Sequence, residues 1–319
     1  MIDWTKHLLA NPTPALGWKK LAKPSQAAAD FLAAHADLAI TREALRHGDP
    51  GSYVPIVTDQ SNPVSLRGSF FFLDELLAQA PGASSAGLEV IGSGQEFGTK
   101  LENKIASGLR ELLANHGLSF EVASKGSHAA SASFQLTDYW PFASPPTNTE
   151  GPDVEEMYRR LGRGHLIQPD IVVWRSVVKP FVRVAGQSAL IETHTVKQLI
   201  ACISGKGTIR SDRSQSSRYE GSTISRWRRA RPPHFVVVTA EPEPARLGSL
   251  AWGLGEIDCV YHVNLPALYT ALTRVEADAA GKGPKKKESP SSELRALIDN
   301  ARIRDLSMLF GDLFGEMLP

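Results

Sequence analysis

The sequence predicts an α/β protein with a central mixed β-sheet that is flanked by helices. The first observation is a set of short β-branched or apolar runs, which are typical of buried strands. These runs occupy residues 171–174, 199–203, 235–238 and 257–263. The second observation is that segments with helical patterning lie between or after them. Because strands that alternate with helices are typical of a mixed α/β sheet, we expect the second half of the chain to form one.

Composition agrees with a compact protein and excludes several classes. The 319 residues are 42% hydrophobic and 22% charged, values that exclude a mainly disordered, collagen-like or coiled-coil chain. At about 150 residues per domain, the length allows two domains or one large domain with extensions. The 35 basic and 34 acidic residues leave a formal charge of +1. Taken alone, this charge argues against a polyanionic partner.

The start of the chain and its cysteines both indicate an intracellular setting. Residues 1–6 lack the basic-then-apolar pattern of a signal peptide, and no apolar run approaches the roughly 20 residues that span a bilayer. We therefore expect a cytoplasmic protein with no membrane partner. Cys202 and Cys259 stand apart in apolar stretches, which argues against disulfides and thiolate zinc sites and predicts two small core residues.

The first half of the chain contains two predicted helices and two predicted strands. Residues 25–47 carry apolar side chains at mostly helical spacing, up to the breakers Gly48 and Pro50. Residues 102–113 form one apolar stripe, which predicts an amphipathic helix that begins at or just before Glu102. Residues 118–122 and 131–136 alternate like strands, and residues 143–152 are a loop rich in Pro, Ser and Thr.

The second half adds helices and a linker to the predicted strands. A polar, arginine-rich helix is predicted over residues 211–229, before Pro232 and Pro233, and another helix starts within residues 266–272. Residues 274–292 contain three consecutive lysines at 285–287 between Gly and Pro, as in flexible linkers. The predicted organisation is a helical N-terminal extension (1–50), a main domain (51–273), a linker (274–292) and an amphipathic C-terminal helix (293–319).

Three polar residues beside two predicted strands form a candidate catalytic group. Asp170 precedes the first strand, whereas Ser204 and Lys206 follow the second. Because strand side chains alternate between faces, Ser204 and Lys206 project from the same face. A carboxylate can hold Mg²⁺, and a nearby lysine can orient or deprotonate a water or offset the charge on a phosphate. A turn role for Asp170 and a solvated edge position for Lys206 are the structural alternatives.

The start of the arginine-rich helix is suited to contacts with base edges. A guanidinium can bond O6 and N7 of guanine, and a carboxylate can accept from N4 of cytosine, so Arg210, Asp212 and Arg213 suit G·C pairs. Glu220 lies seven residues after Arg213, on nearly the same helix face. From there it can point back toward Lys206. The alternative is a solvated helix face laced with salt bridges.

Longer runs of sequence resemble a known family. The run SGKGTIRSDR at residues 204–213, with Arg218 and Glu220 beyond it, is similar to the active-site and recognition segment of type II restriction endonucleases of the PD-(D/E)xK class. Within that class it most resembles the tetrameric (type IIF) group with a CCGG core, and there the enzymes that cut GCCGGC. Similar runs are PHFVVVTAEP (233–242), GEIDCVYH (255–262), DQSN (59–62), Gly94-Gln95 and Leu101-Glu102. The resemblance covers residues 53–272, with gaps.

The resemblance implies a restriction-endonuclease-like fold and a set of catalytic residues. Asp170 would bind the metal, and Lys206 would be the catalytic lysine, with Ser204 ahead of it. Glu220 would replace the acidic residue that most of the class carries two positions before the lysine, and Glu102 would be an extra carboxylate near a second metal. The implied metal ligands are Asp170, Glu220, Glu102 and, through its backbone carbonyl, Gly205.

The resemblance also implies which residues contact DNA. Three residues at the start of the arginine-rich helix would read the CCGG core; they are Arg210, Asp212 and Arg213. Gln95 and Arg246 match positions that read the outer G·C pair, and Asp59 and Ser61 would contribute from a loop.

Two glycines depart from the family pattern. Gly205 stands where similar enzymes have a larger residue, and Gly207 replaces an aromatic residue. Gly205 can still offer its carbonyl to a metal, but glycine makes the backbone looser. We expect this departure to change metal affinity and not metal identity.

These features predict a Mg²⁺-dependent endonuclease of a restriction-modification system, with two ions per active site. It would cleave both strands of double-stranded DNA at a palindromic CCGG-containing site, GCCGGC in the most specific form. A palindrome requires at least a homodimer, and the resemblance implies a homotetramer that binds two sites. The alternatives are a sequence-specific DNA-binding protein without cleavage and a structure-specific repair nuclease. Carboxylates that hold metal or read cytosine then account for the near-neutral charge.

The remaining polar candidates are assigned to structure. Glu256 and Asp258 lie two apart on a predicted strand, where carboxylates are usually paired. His234 and His262 have no ligand-spaced partners, so packing is the better interpretation. A last group could contact phosphates or be solvated; it consists of Arg226, Arg228, Arg229 and Arg231.

Overall fold

The structure, a computed structural model, describes residues 1–10, 14–57, 59, 62–80, 82, 88–124, 169–185, 187–227, 232–253, 255–279 and 289–315. Its helices are α1 (Trp4–Leu9), α2 (Gln26–Ala34), α3 (Ala39–Arg46), α4 (Pro63–Gln79), α5 (Gly94–Asn115), α6 (Ser211–Trp227), α7 (Pro244–Ala251), α8 (Leu265–Ala279), α9 (Pro290–Asp299) and α10 (Leu309–Phe314). Its strands are β1 (Gly17–Lys20), β2 (Tyr53–Pro55), β3 (Glu89–Val90), β4 (Glu121–Ser124), β5 (Ile171–Ala185), β6 (Ser188–Lys206), β7 (His234–Thr239), β8 (Cys259–His262) and β9 (Ile303–Asp305). In the part of the chain so described, no helix is both long and apolar enough to cross a bilayer.

The main sheet has six strands in the order β4-β5-β6-β7-β8-β9. The strands from β4 to β6 pair antiparallel, and those from β6 to β9 pair parallel. The predicted mixed α/β sheet with flanking helices is therefore confirmed. Buried side chains from the sheet and the helices form one hydrophobic core, in which α8 packs on α4.

The central strands are apolar because both of their faces are buried. In β7, the side chains from Phe235 to Val238 are all at most 2% exposed, so successive residues are buried regardless of the face they point to. Cys202 is buried and Cys259 is half-buried, and both thiols are free. This agrees with the packing role predicted for the cysteines.

A smaller sheet, with the order β2-β1-β3, joins the N-terminal segment to the rest of the chain. Residues 1–50 are thus not purely helical, because β1 lies within them and pairs with β2 and β3. Gly17 permits this pairing, since a Cβ at that position would overlap the carbonyl oxygen of Glu89. The pattern of β1, two buried residues followed by two exposed lysines, gives neither a strand period nor a helix period.

Three helix boundaries differ from the prediction. The segment 25–47 is divided into α2 and α3, with a turn between them. Helix α5 begins at Gly94, where Ser93 accepts a hydrogen bond from Glu96, and not near Glu102. Helix α8 continues to Ala279, into the segment predicted to be a linker.

The predicted C-terminal helix over residues 293–319 is wrong as one continuous element. That region contains α9, the strand β9 and α10. The break falls at Ala301, a non-glycine residue with a φ of 53°, because the chain must turn there to place β9 beside β8. Several predicted features lie outside the described residues; they are the strand at 131–136, the loop at 143–152 and the lysines at 285–287.

Candidate active site

The sheet brings the candidate catalytic residues together at the point where β5 begins and β6 ends. Ile171 pairs with Ile203 across the two antiparallel strands, so Asp170, just before β5, lies beside the last residues of β6. These are Ser204, Gly205 and Lys206. The predicted proximity of Asp170 to Ser204 and Lys206 thus follows directly from strand register.

Asp170 is the centre of this cluster. Its carboxylate is buried, with 4% of the residue exposed. The oxygen Oδ2 accepts hydrogen bonds from Lys206 Nζ at 2.8 Å and from the backbone N–H of Gly205 at 3.0 Å. A buried carboxylate is stable only when it is hydrogen-bonded or paired, and Asp170 has both kinds of partner.

Ser204 joins Asp170 to Glu220 on helix α6. Its fully buried hydroxyl lies 3.1 Å from Glu220 Oε2 and 3.4 Å from Asp170 Oδ2. A hydroxyl has one proton to donate, so it serves one carboxylate at a time. Glu220 also accepts from the hydroxyl of Ser216 at 3.3 Å. The prediction that Glu220 points back toward the strand residues is confirmed in geometry.

Two pKa values in the cluster are raised, that of Lys206 by neighbouring charges and that of Glu220 mainly by burial. Burial alone would lower the pKa of Lys206, but the carboxylates of Asp170, Glu220 and Glu102 raise it overall. Burial and the charge of Asp170 raise the pKa of Glu220, although Lys206 opposes this shift. Lys206 is therefore a firmly protonated ammonium that offsets the surrounding acids.

Glu102 approaches the cluster from helix α5. A Cβ atom on Gly205 would lie 2.8 Å from Glu102 Cγ, so the absence of a side chain at 205 gives Glu102 its place. This close approach provides a structural reason for the glycine at that position. It also places a third carboxylate beside the backbone of the residue that precedes the lysine.

The donor set around Gly205 fits a hard divalent cation, for which carboxylate and carbonyl oxygens are the preferred ligands. Burial raises the pKa of Glu220, and a cation would relieve the cost of keeping buried carboxylates ionised. Among the described residues, however, no three His, Cys, Asp or Glu side chains are gathered as a ready metal-binding group. Lys206 is the positive charge that Asp170 contacts directly.

Helix α5 runs alongside the segment that connects the cluster to helix α6. The position of a Cβ on Gly94 lies 3.4 Å from the guanidinium of Arg213, and a Cβ on Gly207 would overlap the ring of Phe97. Phe97 is 1% exposed and thus fills the space in which a side chain at 207 would lie. Sequence reasoning noted the missing aromatic residue at 207 but did not identify Phe97.

A cleft of about 370 Å³ opens next to this segment. Four of the predicted DNA-contacting residues line it; they are Asp59, Arg210, Arg213 and Arg246. Arg210 is exposed just before helix α6. Arg213 is half-buried and donates to the hydroxyl of Thr208 at 2.7 Å. The structure therefore gathers predicted reading residues from three separate parts of the chain.

Arg246 is held by its neighbours. Its guanidinium donates to Glu243 Oε2 at 2.8 Å, to the carbonyl of Ile209 at 2.8 Å, and to the carboxylate of Asp59. Glu243 in turn accepts from the side chain of Asn62, the N-cap of α4. These contacts fix both the guanidinium and the loop before α6.

Glu241 is a cleft residue to which the sequence analysis gave no role. It is 1% exposed and accepts hydrogen bonds from the backbone N–H groups of Ile209 at 2.8 Å and Glu243 at 3.1 Å. Burial raises its pKa to about 7. The available signal in the sequence was a lone glutamate two residues after the end of β7.

The other predicted residues lie elsewhere. Asp212 and Gln95 are exposed in the first turns of α6 and α5 and are not among the residues that line the cleft. Ser61 lies outside the described residues. Asp258 accepts from the backbone N–H of Phe235 at 2.7 Å, which is a structural contact.

The remaining candidate residues have structural contacts or lie partly outside the described residues. Glu256 and Asp258 precede strand β8 and are not part of it. His262 is fully buried, with a pKa lowered by burial to about 4, and packs on Phe72. His234 lies 3.9 Å from Asp258. The described residues do not include the last group of arginines, at 228, 229 and 231, or the side chain of Arg226.

Two comparisons with known proteins bear on this site. The model of the family described as NgoMIV restriction enzyme matches residues 37–314, a range that includes the cluster and most of the cleft. A relative, the type II restriction enzyme NgoMIV of Neisseria gonorrhoeae, is 39% identical over 170 residues. The match covers 50% of this chain and 56% of the relative, so the chain spans about half the length of the curated relative that it matches.

Proposed function

The chain belongs to the NgoMIV restriction enzyme family, and from this premise we propose that it is a type II site-specific deoxyribonuclease of a restriction-modification system. It cleaves both strands of double-stranded DNA at a palindromic site with a CCGG core, and GCCGGC is the most specific form of the proposal. Since the DNA that such an enzyme cuts is inside the cell, a cytoplasmic location is part of the proposal.

One observation carries the proposal. The partly buried cluster of Asp170, Ser204, Lys206 and Glu220 is joined to the cation-rich cleft by one short segment. Only three residues separate Lys206, whose ammonium is 2.8 Å from Asp170, from Arg210, which lines the cleft. A phosphodiester next to the cluster would therefore belong to the DNA whose bases face the cleft. Site-specific cleavage requires this proximity of a hydrolytic group to a reading surface.

The catalytic roles follow from position and charge. Lys206 places a protonated ammonium beside the scissile phosphate and offsets the negative charge that develops there. Ser204 and Ser216 orient the carboxylate of Glu220. Asp170, Glu220, Glu102 and the carbonyl of Gly205 would hold Mg²⁺, two ions in the full proposal. When bound, the metal supplies Lewis-acid activation and a more acidic water.

The reading roles are divided between the core and the outer base pairs. Arg210, Asp212 and Arg213 read the CCGG core in the major groove, where guanidinium and carboxylate groups match guanine and cytosine edges. The outer pair is assigned to Arg246 and Gln95, with contributions from Asp59 and Ser61. Because Arg246 is already fixed by Glu243 and Ile209, its orientation is set before DNA arrives, which lowers the entropic cost of reading.

A palindromic site requires two copies of the chain, since each half-site needs the same reading residues. We propose a homodimer that assembles into a homotetramer and binds two sites. The hairpin of β5 and β6 supports association, because it exposes large apolar side chains that are unusual on a monomer surface. Val182 and Ile191 are cross-strand partners there, 69% and 76% exposed.

The test is a digest of DNA of known sequence by the purified chain in Mg²⁺, with the fragment ends mapped by sequencing. The proposal expects discrete fragments whose ends lie within GCCGGC sites. Ends at CCGG sites with other flanking bases would overturn the outer-base assignment alone. Specific binding in Ca²⁺ without cleavage in Mg²⁺ would point to a non-cutting binder, and cleavage that follows DNA structure and not sequence would point to a repair nuclease.

A further inference from the structure

Lys19 lines the reading cleft from the N-terminal part of the chain. It lies on strand β1 and shares the cleft with Arg210, Arg213 and Arg246. The family model begins to match at residue 37, so Lys19 precedes the matched segment. The resemblance found in the sequence likewise assigned no role to this part of the chain.

The position of Lys19 is fixed by backbone pairing on both sides of β1. Lys19 is paired with Val54 of β2, and the neighbouring Trp18 is paired with Val90 of β3. Trp18 is fully buried, and side chains alternate across a strand, so the side chain of Lys19 projects from the opposite face of this sheet. A middle strand anchored by a buried tryptophan provides a rigid base for an exposed cation.

The charges of the cleft leave Lys19 available to a ligand. Arg246 is engaged by Asp59 and Glu243. Lys19, in contrast, is exposed and forms no ion pair with any residue that the structure describes. The same holds for Arg210 in the described ranges. A polyanion that enters the cleft would therefore meet Lys19 as an uncompensated charge.

We propose that Lys19 binds a DNA backbone phosphate at the edge of the reading cleft and so helps to position the duplex for the reading arginines. The proposal rests on the proposed function. A lysine is a mobile point charge, whereas bidentate base reading favours arginine, and contacts to phosphates position a duplex without specifying its sequence. Lys19 is thus a positioning residue that strengthens binding to any duplex.

The experiment compares Lys19→Gln with Lys20→Gln. Lys20 is the next residue on the same strand and is also exposed. Its ammonium lies over the ring of Tyr53, and the residue does not line the cleft. Binding of a duplex with GCCGGC and of a duplex without it is measured in Ca²⁺ over a range of salt concentrations. The parent protein and Lys19→Arg are measured in parallel.

We expect Lys19→Gln to weaken binding of both duplexes by a similar factor, on the order of three- to tenfold, and to reduce the slope of log affinity against log salt by about 0.9. Lys20→Gln should retain the parent slope, and Lys19→Arg should restore it. An unchanged slope in Lys19→Gln, or a loss confined to the cognate duplex, would overturn the phosphate contact. A parent protein that binds neither duplex would instead refute the proposed function.

Discussion

The proposed catalytic cluster and the proposed reading cleft differ in how their charges are arranged. In the cluster, one buried and two half-buried carboxylates surround one ammonium, and hydrogen bonds join Asp170, Ser204, Lys206 and Glu220. In the cleft, exposed or half-buried cations face solvent, and two of them, Lys19 and Arg210, form no ion pair with the described residues. The first arrangement is suited to a fixed hydrolytic geometry, the second to the capture of an anionic partner.

Helix α5 packs against both regions and so fixes their relative position. Glu102 touches the cluster at Gly205, Phe97 packs under Gly207, and Gly94 lies against Arg213. One helix thus supports three points along a segment of nine residues. Because their contacts differ, mutations should be able to impair cleavage without DNA binding, or binding without cleavage. A mutation that destabilises α5 should affect both regions, because both pack on this helix.

The largest expected effect separates cleavage from binding. In Lys206→Ala, the ammonium that pairs with Asp170 is lost, and we expect cleavage of a GCCGGC duplex to fall by about 10²–10³-fold or more. Binding of that duplex in Ca²⁺ should remain close to that of the parent, because Lys206 does not line the cleft. Single-turnover cleavage and a gel-shift titration measure the two effects.

Loss of the half-buried Lys206 also leaves carboxylates without their partner, which costs stability. Urea unfolding of Lys206→Ala and of the control Lys104→Ala separates this cost from catalysis. Lys104 is a half-buried lysine of α5 that donates to the carbonyl of Ala10. If Lys206→Ala is fully folded and cuts as fast as the parent protein, the assignment of the lysine is wrong.

The fold was predictable from sequence where burial was complete. Strands at residues 171–174, 199–203 and 235–238 were found because every side chain in them is apolar, which follows from their position at the centre of the sheet. The extension of β5 and β6 into a long hairpin was not predicted, since exposed residues such as Val178, Val182 and Ile191 interrupt any continuous buried run there. The first two turns of α5 were missed because Phe97 is their one buried side chain.

The second effect concerns the reading residues. Arg210→Ala removes an exposed guanidinium that forms no ion pair with the described residues. We expect the affinity for a GCCGGC duplex to fall by about 10- to 100-fold, which is the contribution of one bidentate base contact. Affinity for a duplex without the site should change only severalfold, and the free energy of unfolding should not change.

Arg246→Ala is the matched contrast within the same cleft. Because Arg246 bonds to Asp59, Glu243 and Ile209, its removal should lower both cognate affinity and the free energy of unfolding, the latter by about 1–3 kcal/mol. Fluorescence anisotropy and urea unfolding distinguish the two variants. Equal stability of Arg210→Ala and Arg246→Ala would show that the network around Arg246 does not support the cleft.

The candidate site was predictable where residues are near in sequence or carry a family pattern. Lys206 and Arg210 are in one run, and the register of adjacent strands adds Asp170. Lys19, Phe97 and Glu241 were not predictable, because each is a single residue whose role depends on contacts with a distant segment. Such contacts are set by the tertiary fold, and the hydrophobic periodicity of the local sequence does not predict them.

A third, smaller effect tests the shared support of α5. In Gly207→Ala, the new methyl group overlaps the ring of the buried Phe97, and we expect a loss of about 1–3 kcal/mol in the free energy of unfolding. Gly205→Ala should cost less, because its methyl group meets the flexible side chain of Glu102. Phe97→Leu in the Gly207→Ala background should recover part of the loss, and a double-mutant cycle measures this coupling. Additive losses would show that the ring does not occupy that space.

The smallest effect concerns the buried carboxyl of Glu241, which anchors the cleft to the backbone of Ile209. Burial raises the pKa of this carboxyl from 4.5 to about 7 in the folded protein, so between these values the folded state holds a proton that the unfolded chain has released. Stability from this group is therefore highest at low pH and falls as the pH rises through the window.

Glu241→Gln should flatten this part of the pH profile, because a neutral amide does not ionise, even though the amide loses one of the two backbone hydrogen bonds and changes absolute stability. Urea unfolding at several pH values between about 5 and 7 measures the slope. Glu243→Gln is the control, since it removes a nearby half-buried carboxylate that also contacts Arg246. A slope that is the same in Glu241→Gln and the parent protein would place the titrating group elsewhere, for example at Glu220, whose pKa burial also raises.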